Sequence, residues 1–247
     1  MRAKLYVFPG SHPCDCAEAV FRLKGIGYTR VNLIPAFHKL VVRAHFDGAT
    51  VPALELDGEH IVGSRAILRR LDQLHPEPPL FPADPDLRAR VEEAEAWGDE
   101  PFQPLVRRLA WAGLSRDTRA MMSYVGDAKM PLPVPLLRLG AKPVAAFASR
   151  YNEAGDDNAL ADLKALPGCF DKIEAWMDEG VLGGEQPNAA DLQIGAGVRL
   201  LGTFEDLEPL LRARACVRLG ENGFEPPAGR IPKGTLPRDW VPSLGYA

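Results

Sequence analysis

This chain of 247 residues is poor in cysteine, in histidine beyond its first third, and in long apolar runs. Its four cysteines include one close pair, Cys14 and Cys16, and form no framework of the kind that staples small secreted domains. Reduced thiols and a cytoplasmic location are therefore expected. No apolar run approaches the length that spans a bilayer, and Met1-Arg2-Ala3-Lys4 passes directly into a strand pattern, so neither a membrane partner nor a signal peptide is expected. Basic residues are outnumbered, 29 Lys and Arg against 33 Asp and Glu, for a net charge of −4. With a pI near 5.8 there is no cationic excess to neutralise phosphates, which excludes a nucleic-acid partner. All five histidines fall in the first 75 residues, at spacings that predict no metal site. A phosphate loop, a Gly-x-Ser-x-Gly elbow and a dinucleotide fingerprint are all missing.

What is present is concentrated at the start. A strand-like segment, Leu5-Tyr6-Val7-Phe8, leads into Ser11-His12-Pro13-Cys14, and a helical pattern (Ala17, Val20, Phe21, Lys24) follows and stops at Gly25. A strand, a tight turn and a helix start present backbone N–H groups and the positive end of the helix dipole, which together stabilise a negative charge such as a thiolate. Thr50-Val51-Pro52-Ala53-Leu54 enters another strand, and Asp57-Gly58 predicts a hairpin. The return strand Glu59-His60-Ile61-Val62 ends at Gly63-Ser64, where Ser64 is placed to cap a helix carrying Ile67, Leu68, Leu71 and Leu74 on one face. The predicted order is βαβαββα.

Four motifs in this order and spacing resemble the glutathione transferase superfamily: Ser11-His12-Pro13-Cys14, Lys24-Gly25-Ile26, Val51-Pro52-Ala53-Leu54 and Gly63-Ser64-Arg65-Ala66-Ile67. The resemblance implies an α/β thioredoxin-like N-terminal domain at 1–75, a proline-rich linker at 76–84 with Phe81 as its anchor, and an all-α helical C-terminal domain at 85–220. An extended tail is expected over 221–247, where Pro226, Pro227, Pro232, Pro237 and Pro242 recur with Trp240.

Beyond Asp84 the patterns are helical. Asp84-Pro85 is a helix start, and Pro101 and Pro104 are expected to bend or break the first helix before a second piece at 105–112, whose Arg107-Arg108 face reads as solvated. Residues 115–155, punctuated by Pro131, Pro133, Pro135 and Pro143, fit a lid, a partner surface or a decorated helix connection, with the connection as the default. One helix is expected over 158–179, ending at Gly180. Asn188 and Asp191 form a capping-box pair before an apolar helix at 192–201, where Gly195 and Gly197 allow close packing.

Several residues are candidates for chemistry. Ser11 occupies the place where zeta-like transferases have a catalytic serine and omega-like ones a cysteine; it either donates to the glutathione sulfur or caps the first helix. Cys14 stands where the second cysteine of a glutaredoxin-type turn falls, and is either redox-active or packed in the core. Val51 and Pro52 correspond to the cis-proline element whose backbone meets the cysteinyl part of glutathione; the alternative is a strand-edge proline. Ser64, at a helix start, suits the γ-glutamyl carboxylate. The family has Glu, Gln or Asp before this serine, and Gly63 lacks that side chain. His38 and Lys39 lie where a basic contact to the glycyl carboxylate is found, or are solvated. Phe102, Trp111 and the Met121-Met122 pair are candidates for the acceptor wall by fold analogy.

The resemblance implies conjugation of glutathione, as co-substrate and without a metal, to a small apolar electrophile, in a homodimer. Val41, Val42 and Phe46 are candidate interface residues. Two rivals stand beside this reading: a thiol–disulfide reductase or deglutathionylase using Cys14, and a non-catalytic binding or structural protein that kept the fold.

Overall fold

The computed structural model describes residues 1–241; Pro242 and the remainder of the expected tail lie outside the described residues. In β1 (Ala3–Val7) the side chains of Ala3, Leu5 and Val7 alternate into the core, as a period of two requires. After α1 (His12–Leu23), β2 (Thr29–Asn32) pairs parallel to β1. After α2 (His38–His45), β3 (Ala53–Leu56) pairs antiparallel to the other edge of β1, and β4 (Glu59–Val62) closes the sheet as β2-β1-β3-β4. The β3–β4 turn has both central residues at positive φ, Asp57 at 49° and Gly58 at 94°, the geometry that matches strand twist. This unit, completed by α3 (Ser64–Leu74), is the thioredoxin-like βαβαββα domain.

Helix α1 ends because Gly25 takes a positive φ of 63°. The Gly25 N–H then reaches the Arg22 carbonyl at 3.0 Å and the Ile26 N–H reaches the Phe21 carbonyl at 2.9 Å, satisfying the last turn. Beside it the Lys24 side chain is fully buried, with its ammonium on Asp72 (2.6 Å) and on the carbonyls of His75 (2.6 Å) and Pro78 (2.7 Å). One lysine thus ties the helix end to the proline-rich connector. Phe81 is buried there under the guanidinium groups of Arg69 and Arg88.

The rest is helical: α4 (Pro85–Trp97), α5 (Gln103–Arg116), α6 (Arg119–Val125), α7 (Val134–Tyr151), α8 (Asp156–Asp178), α9 (Ala189–Leu201) and the short α10 (Glu208–Leu211). Pro101 does interrupt the first of these: a π-helical turn, Gly98–Phe102, joins α4 to α5 because proline brings no N–H to the ladder. Helix α8 is continuous through Pro167, and Gly180 follows it at a φ of 72°.

Helix α9 is the centre of the second domain. The Asn188 side chain accepts from the N–H groups of Ala190 (2.9 Å) and Asp191 (3.0 Å), and Asp191 accepts from those of Asn188 (2.9 Å) and Gly183 (2.7 Å). A Cβ on Gly195 would stand 2.4 Å from the Leu219 carbonyl oxygen, and one on Gly197 would stand 2.7 Å from the Phe102 ring, so only glycine permits the packing. Arg199 of α9 pairs with Asp15 of α1 across the domain boundary. Beyond α10 the described residues form a 3-10 segment, Ala215–Gly220, and then run largely irregular to 241; a bridge joins Ile231 to Phe204, and Trp240 lies under the Arg116 guanidinium. Val42 and Phe46 are buried and Val41 packs against the core, so these three form no exposed apolar surface. Among the described residues no helix is long and apolar enough to cross a membrane.

Candidate active site

Two hollows meet at the start of α1 and share Pro13, Thr50, Val51 and Arg107 on their walls. One is an apolar cavity of about 280 Å³ between the first domain and helices α5, α6 and α7. The other is a polar cleft bounded by the starts of β3 and α3 and by the π turn.

Ser11 lies on the cavity wall with 7% of its surface exposed. It stands at the cap position of α1, but its hydroxyl makes no capping bond and lies beside the Cys14 sulfur. Gly10 delivers it: at a φ of 81° and with the Tyr124 ring 2.9 Å from where a Cβ would be, that position accepts only glycine. Pro13 has no N–H and the Asp15 N–H is bound to the Ser11 carbonyl at 3.0 Å, which leaves the His12 and Cys14 N–H groups as the helix-start donors.

Cys14 is 1% exposed, and burial pushes its thiol up to about 12, against smaller opposing effects of Ser11 and the Phe8 backbone. A thiol held protonated at neutral pH is a poor nucleophile. All four cysteines are free, and Cys16 and Cys216 are likewise buried.

The Val51–Pro52 bond is cis, as expected for this element; Glu77–Pro78, also cis, was not anticipated. Ser64 is placed differently from the sequence reading. Gly63, at a φ of 97°, is the cap of α3, and Ser64 is its first helical residue. Its buried hydroxyl donates to Gln193 Oε1 at 3.1 Å rather than into the cleft. Ser64 remains on the cleft wall, where the α3 start offers its N–H groups, while its hydroxyl proton is held by Gln193.

His38 and Lys39 both line the apolar cavity. Burial, reinforced by the Lys39 charge, lowers His38 to about 4, and its ring packs at a tilt against Phe8, 5.2 Å between ring centres. Lys39 Nζ lies over the Tyr151 ring and has no hydrogen-bond partner. Of the expected acceptor wall, Trp111, Met121 and Met122 line the cavity. Phe102 does not: it is 1% exposed and stacked on Trp97 in the core. The wall is completed by Leu137, Val144 and Phe147 of α7, so the 115–155 segment is more than a connection; it encloses the cavity.

Four residues escaped the sequence reading. Gln193, 2% exposed on α9, accepts from Ser64 and from Cys16 Sγ (3.4 Å) and donates to Asp99 Oδ1 (3.0 Å). A lone glutamine in an apolar, small-residue helix was the available signal. Asp99 reaches the cleft because the π turn re-aims it, and burial raises its carboxyl above the ordinary range while Arg65 opposes. His12 is 3% exposed; burial and then the Arg107 charge lower it to about 3, and its ring donates to the Gln103 carbonyl, leaving Nε2 without a partner. Arg107, read as solvated, is half-buried between the two hollows, while Arg108 forms a bidentate pair with Asp162 at 2.7 and 2.6 Å. Among the described residues no three His, Cys, Asp or Glu side chains are grouped to hold a metal ion.

Residues 5–79 match the family described as "Glutathione S-transferase, N-terminal domain". A "Probable maleylacetoacetate isomerase 2" of Drosophila melanogaster is 39% identical over 131 residues, covering 52% of this chain and 53% of that protein. The chain thus spans about half the length of this curated relative. The structure of a glutathione S-transferase from Rhodospirillum rubrum F11 superposes with a TM-score of 0.60 over 96% of this chain and 99% of that one, at 20% identity. Glutathione transferase F7 from Populus trichocarpa gives a TM-score of 0.60 over 90% of this chain and 99% of its own, at 17% identity. These two likenesses establish the fold.

Proposed function

We propose that this chain, a member of the glutathione S-transferase superfamily by its first domain and by its fold, binds glutathione in the polar cleft and adds its thiolate to a small electrophile held in the apolar cavity. The observation that carries the reading is the position of Ser11: a hydroxyl at a helix start that makes no capping bond, on the cavity wall two residues from Pro13, which lines both hollows. The hydroxyl and the helix-start N–H groups stabilise the sulfur anion, and the thiol proton leaves to water. The sulfur lone pair forms a bond to the electrophilic carbon. Either a leaving group departs with its electron pair, or the electrons pass into a conjugated carbonyl and a proton is taken from water. Val51 meets the cysteinyl backbone, the start of α3 with Arg65 meets the γ-glutamyl carboxylate, and Asp99 supplies the carboxylate for the ammonium in place of the side chain that Gly63 lacks. Lys39, with neutral His38 beside it, faces the glycyl end.

The isomerase name borne by the fruit-fly relative favours a second reading of the same site, in which the thiolate adds to a double bond and then leaves. The reductase reading is disfavoured by the buried, protonated Cys14 thiol. The division into a thiol-binding domain at 1–75, a linker at 76–84, a helical domain at 85–220 and a tail at 221–247, a cytoplasmic location and a homodimer belong to this reading. Light scattering at about one 26.9 kDa chain would refute the dimer. The function is tested by calorimetric titration with glutathione and by conjugation rates of Ser11→Ala and Cys14→Ala. Binding, with the greater loss in Ser11→Ala, supports a transferase; activity abolished only in Cys14→Ala supports the reductase. No heat and no thermal shift at millimolar glutathione leaves the non-catalytic alternative.

A further inference from the structure

The apolar cavity carries a cation that the thiol chemistry does not use. Arg107 lines it, and no aspartate or glutamate is among the residues on its wall. Its Nε is buried without a partner, and its Nη1 reaches only a neutral amide, Gln103 Oε1, at 2.7 Å. The contrast with its neighbour is direct: Arg108 is closed by both oxygens of Asp162, while no carboxylate lies within ion-pair distance of Arg107 among the described residues. Asp99, an acid whose field reaches Arg107, is engaged by Gln193 Nε2. Burial and then Arg108 lower the Arg107 pKa, the signature of a charge that lacks compensation. Removing a cation from water without a counter-charge is unfavourable, and an anion bound at the same place offsets that cost.

We propose that Arg107 anchors a carboxylate on the acceptor, so that the electrophiles taken by this cavity are apolar organic acids rather than neutral apolar molecules. The helix geometry sets the direction in which such an acid lies. Arg107, Trp111 and Leu114 share one face of α5, so a carboxylate on the guanidinium fork places the apolar body over Trp111 and Leu114, towards α7. His12 does not compete for the anion. It is neutral, its proton is on the nitrogen that bonds the Gln103 carbonyl, and its unpartnered Nε2 offers a lone pair rather than a donor. Lys39, the other cation on the wall, is the one assigned above to the glycyl end of glutathione. The proposal deepens the transferase reading by naming the acceptor class, and it rests on that reading for what happens after binding; the anchor itself needs no turnover.

The test uses 4-oxo-4-phenylbutanoate, an apolar acid with no electrophilic double bond, and its methyl ester, each titrated calorimetrically into the full chain and into Arg107→Gln and Arg107→Lys. The expected result is that the parent binds the acid at least about tenfold more tightly than the ester, the order of one charge-assisted hydrogen bond. Arg107→Gln should bring that ratio close to one, and Arg107→Lys should keep part of it, since lysine retains the charge but not the fork. Equal binding of acid and ester by the parent overturns the proposal without any variant being needed. So does a preference that survives Arg107→Gln. Titrating glutathione separately resolves the remaining rival: if Arg107→Gln weakens glutathione by as much as it weakens the acid, Arg107 belongs to the thiol site and the proposal falls. Turnover is then read with the unsaturated analogue, 4-oxo-4-phenylbut-2-enoate. If the parent prefers the saturated acid but consumes no glutathione with the unsaturated one, the anchor stands and the transferase reading fails.

Discussion

Replacing Ser11 by alanine removes one oxygen and isolates what that oxygen does for the thiolate. A free thiol titrates near about 8.5. A hydrogen bond to an ionised sulfur is worth about 1.5–3 kcal/mol, or roughly one to two pKa units. The start of α1 adds about 0.3–1 kcal/mol, less than one unit, and with Pro13 contributing no N–H that share rests on the His12 and Cys14 amides. Bound glutathione in the parent should therefore titrate about 1.5–2.5 units below the free thiol, and in Ser11→Ala most of that shift should disappear while a few tenths of a unit remain. Cys14→Ala should change little, because a thiol that burial holds near 12 stays protonated and is a weak donor. The assay is the ultraviolet absorbance of the bound thiolate against pH, at saturating glutathione, for the three proteins. A Ser11→Ala protein that keeps the parent's thiolate pKa refutes the reasoning, as does a Cys14→Ala protein that loses it.

Three further outcomes are expected. Gly195→Ala should cost about 2 kcal/mol or more in denaturant unfolding, because its Cβ meets a backbone oxygen, whereas Gly168→Ala on the exposed face of α8, with open space around it, should gain about 0.5–1 kcal/mol; effects of the same sign would contradict the packing described for α9. His12 has a folded pKa of about 3, below its ordinary 6.5, so its contribution to stability is present above 6.5 and is lost as pH falls towards 3. By pH 5 it should remove about 2 kcal/mol, and an unfolding curve as steep in pH for His12→Gln as for the parent would count against a buried neutral imidazole. Native-state alkylation followed by mass spectrometry should spare Cys14, Cys16 and Cys216 relative to the half-buried Cys169; fast labelling of Cys14 would restore the reductase reading.

The parts of the molecule that were legible beforehand are those whose signals are local. Asp57-Gly58 specifies its turn because both residues tolerate positive φ, Asn188 and Asp191 specify their cap because each satisfies the other's backbone, and Gly25 and Gly180 end helices by the same conformational freedom. Ser64 was misplaced by one position because a glycine cap and a serine cap are indistinguishable until the side chain's partner is known. That partner, Gln193, is 129 residues away. Phe102 was assigned to the acceptor wall by analogy, but the π turn carries it into the core against Trp97 and Gly197. Arg107 and Arg108 are adjacent, and no local property of the sequence separates the one that finds Asp162 from the one that faces a cavity.

By itself the sequence determined the order of elements, the thioredoxin-like domain, the helical second half, the turn that presents Ser11 and the glycines that let α9 pack. These follow from backbone preferences and hydrophobic periods that act over a few residues. Only the tertiary structure decided which polar groups are spent and which remain available. Burial protonates Cys14 and neutralises His12 and His38, Gln193 takes the Ser64 hydroxyl, and the closing of α6 and α7 over the first domain turns a solvated-looking arginine into an unpaired cation in an apolar cavity. The physical reason is that desolvation and hydrogen-bond partnership depend on what surrounds a group in space, and in this chain those surroundings come from residues dozens to more than a hundred positions away.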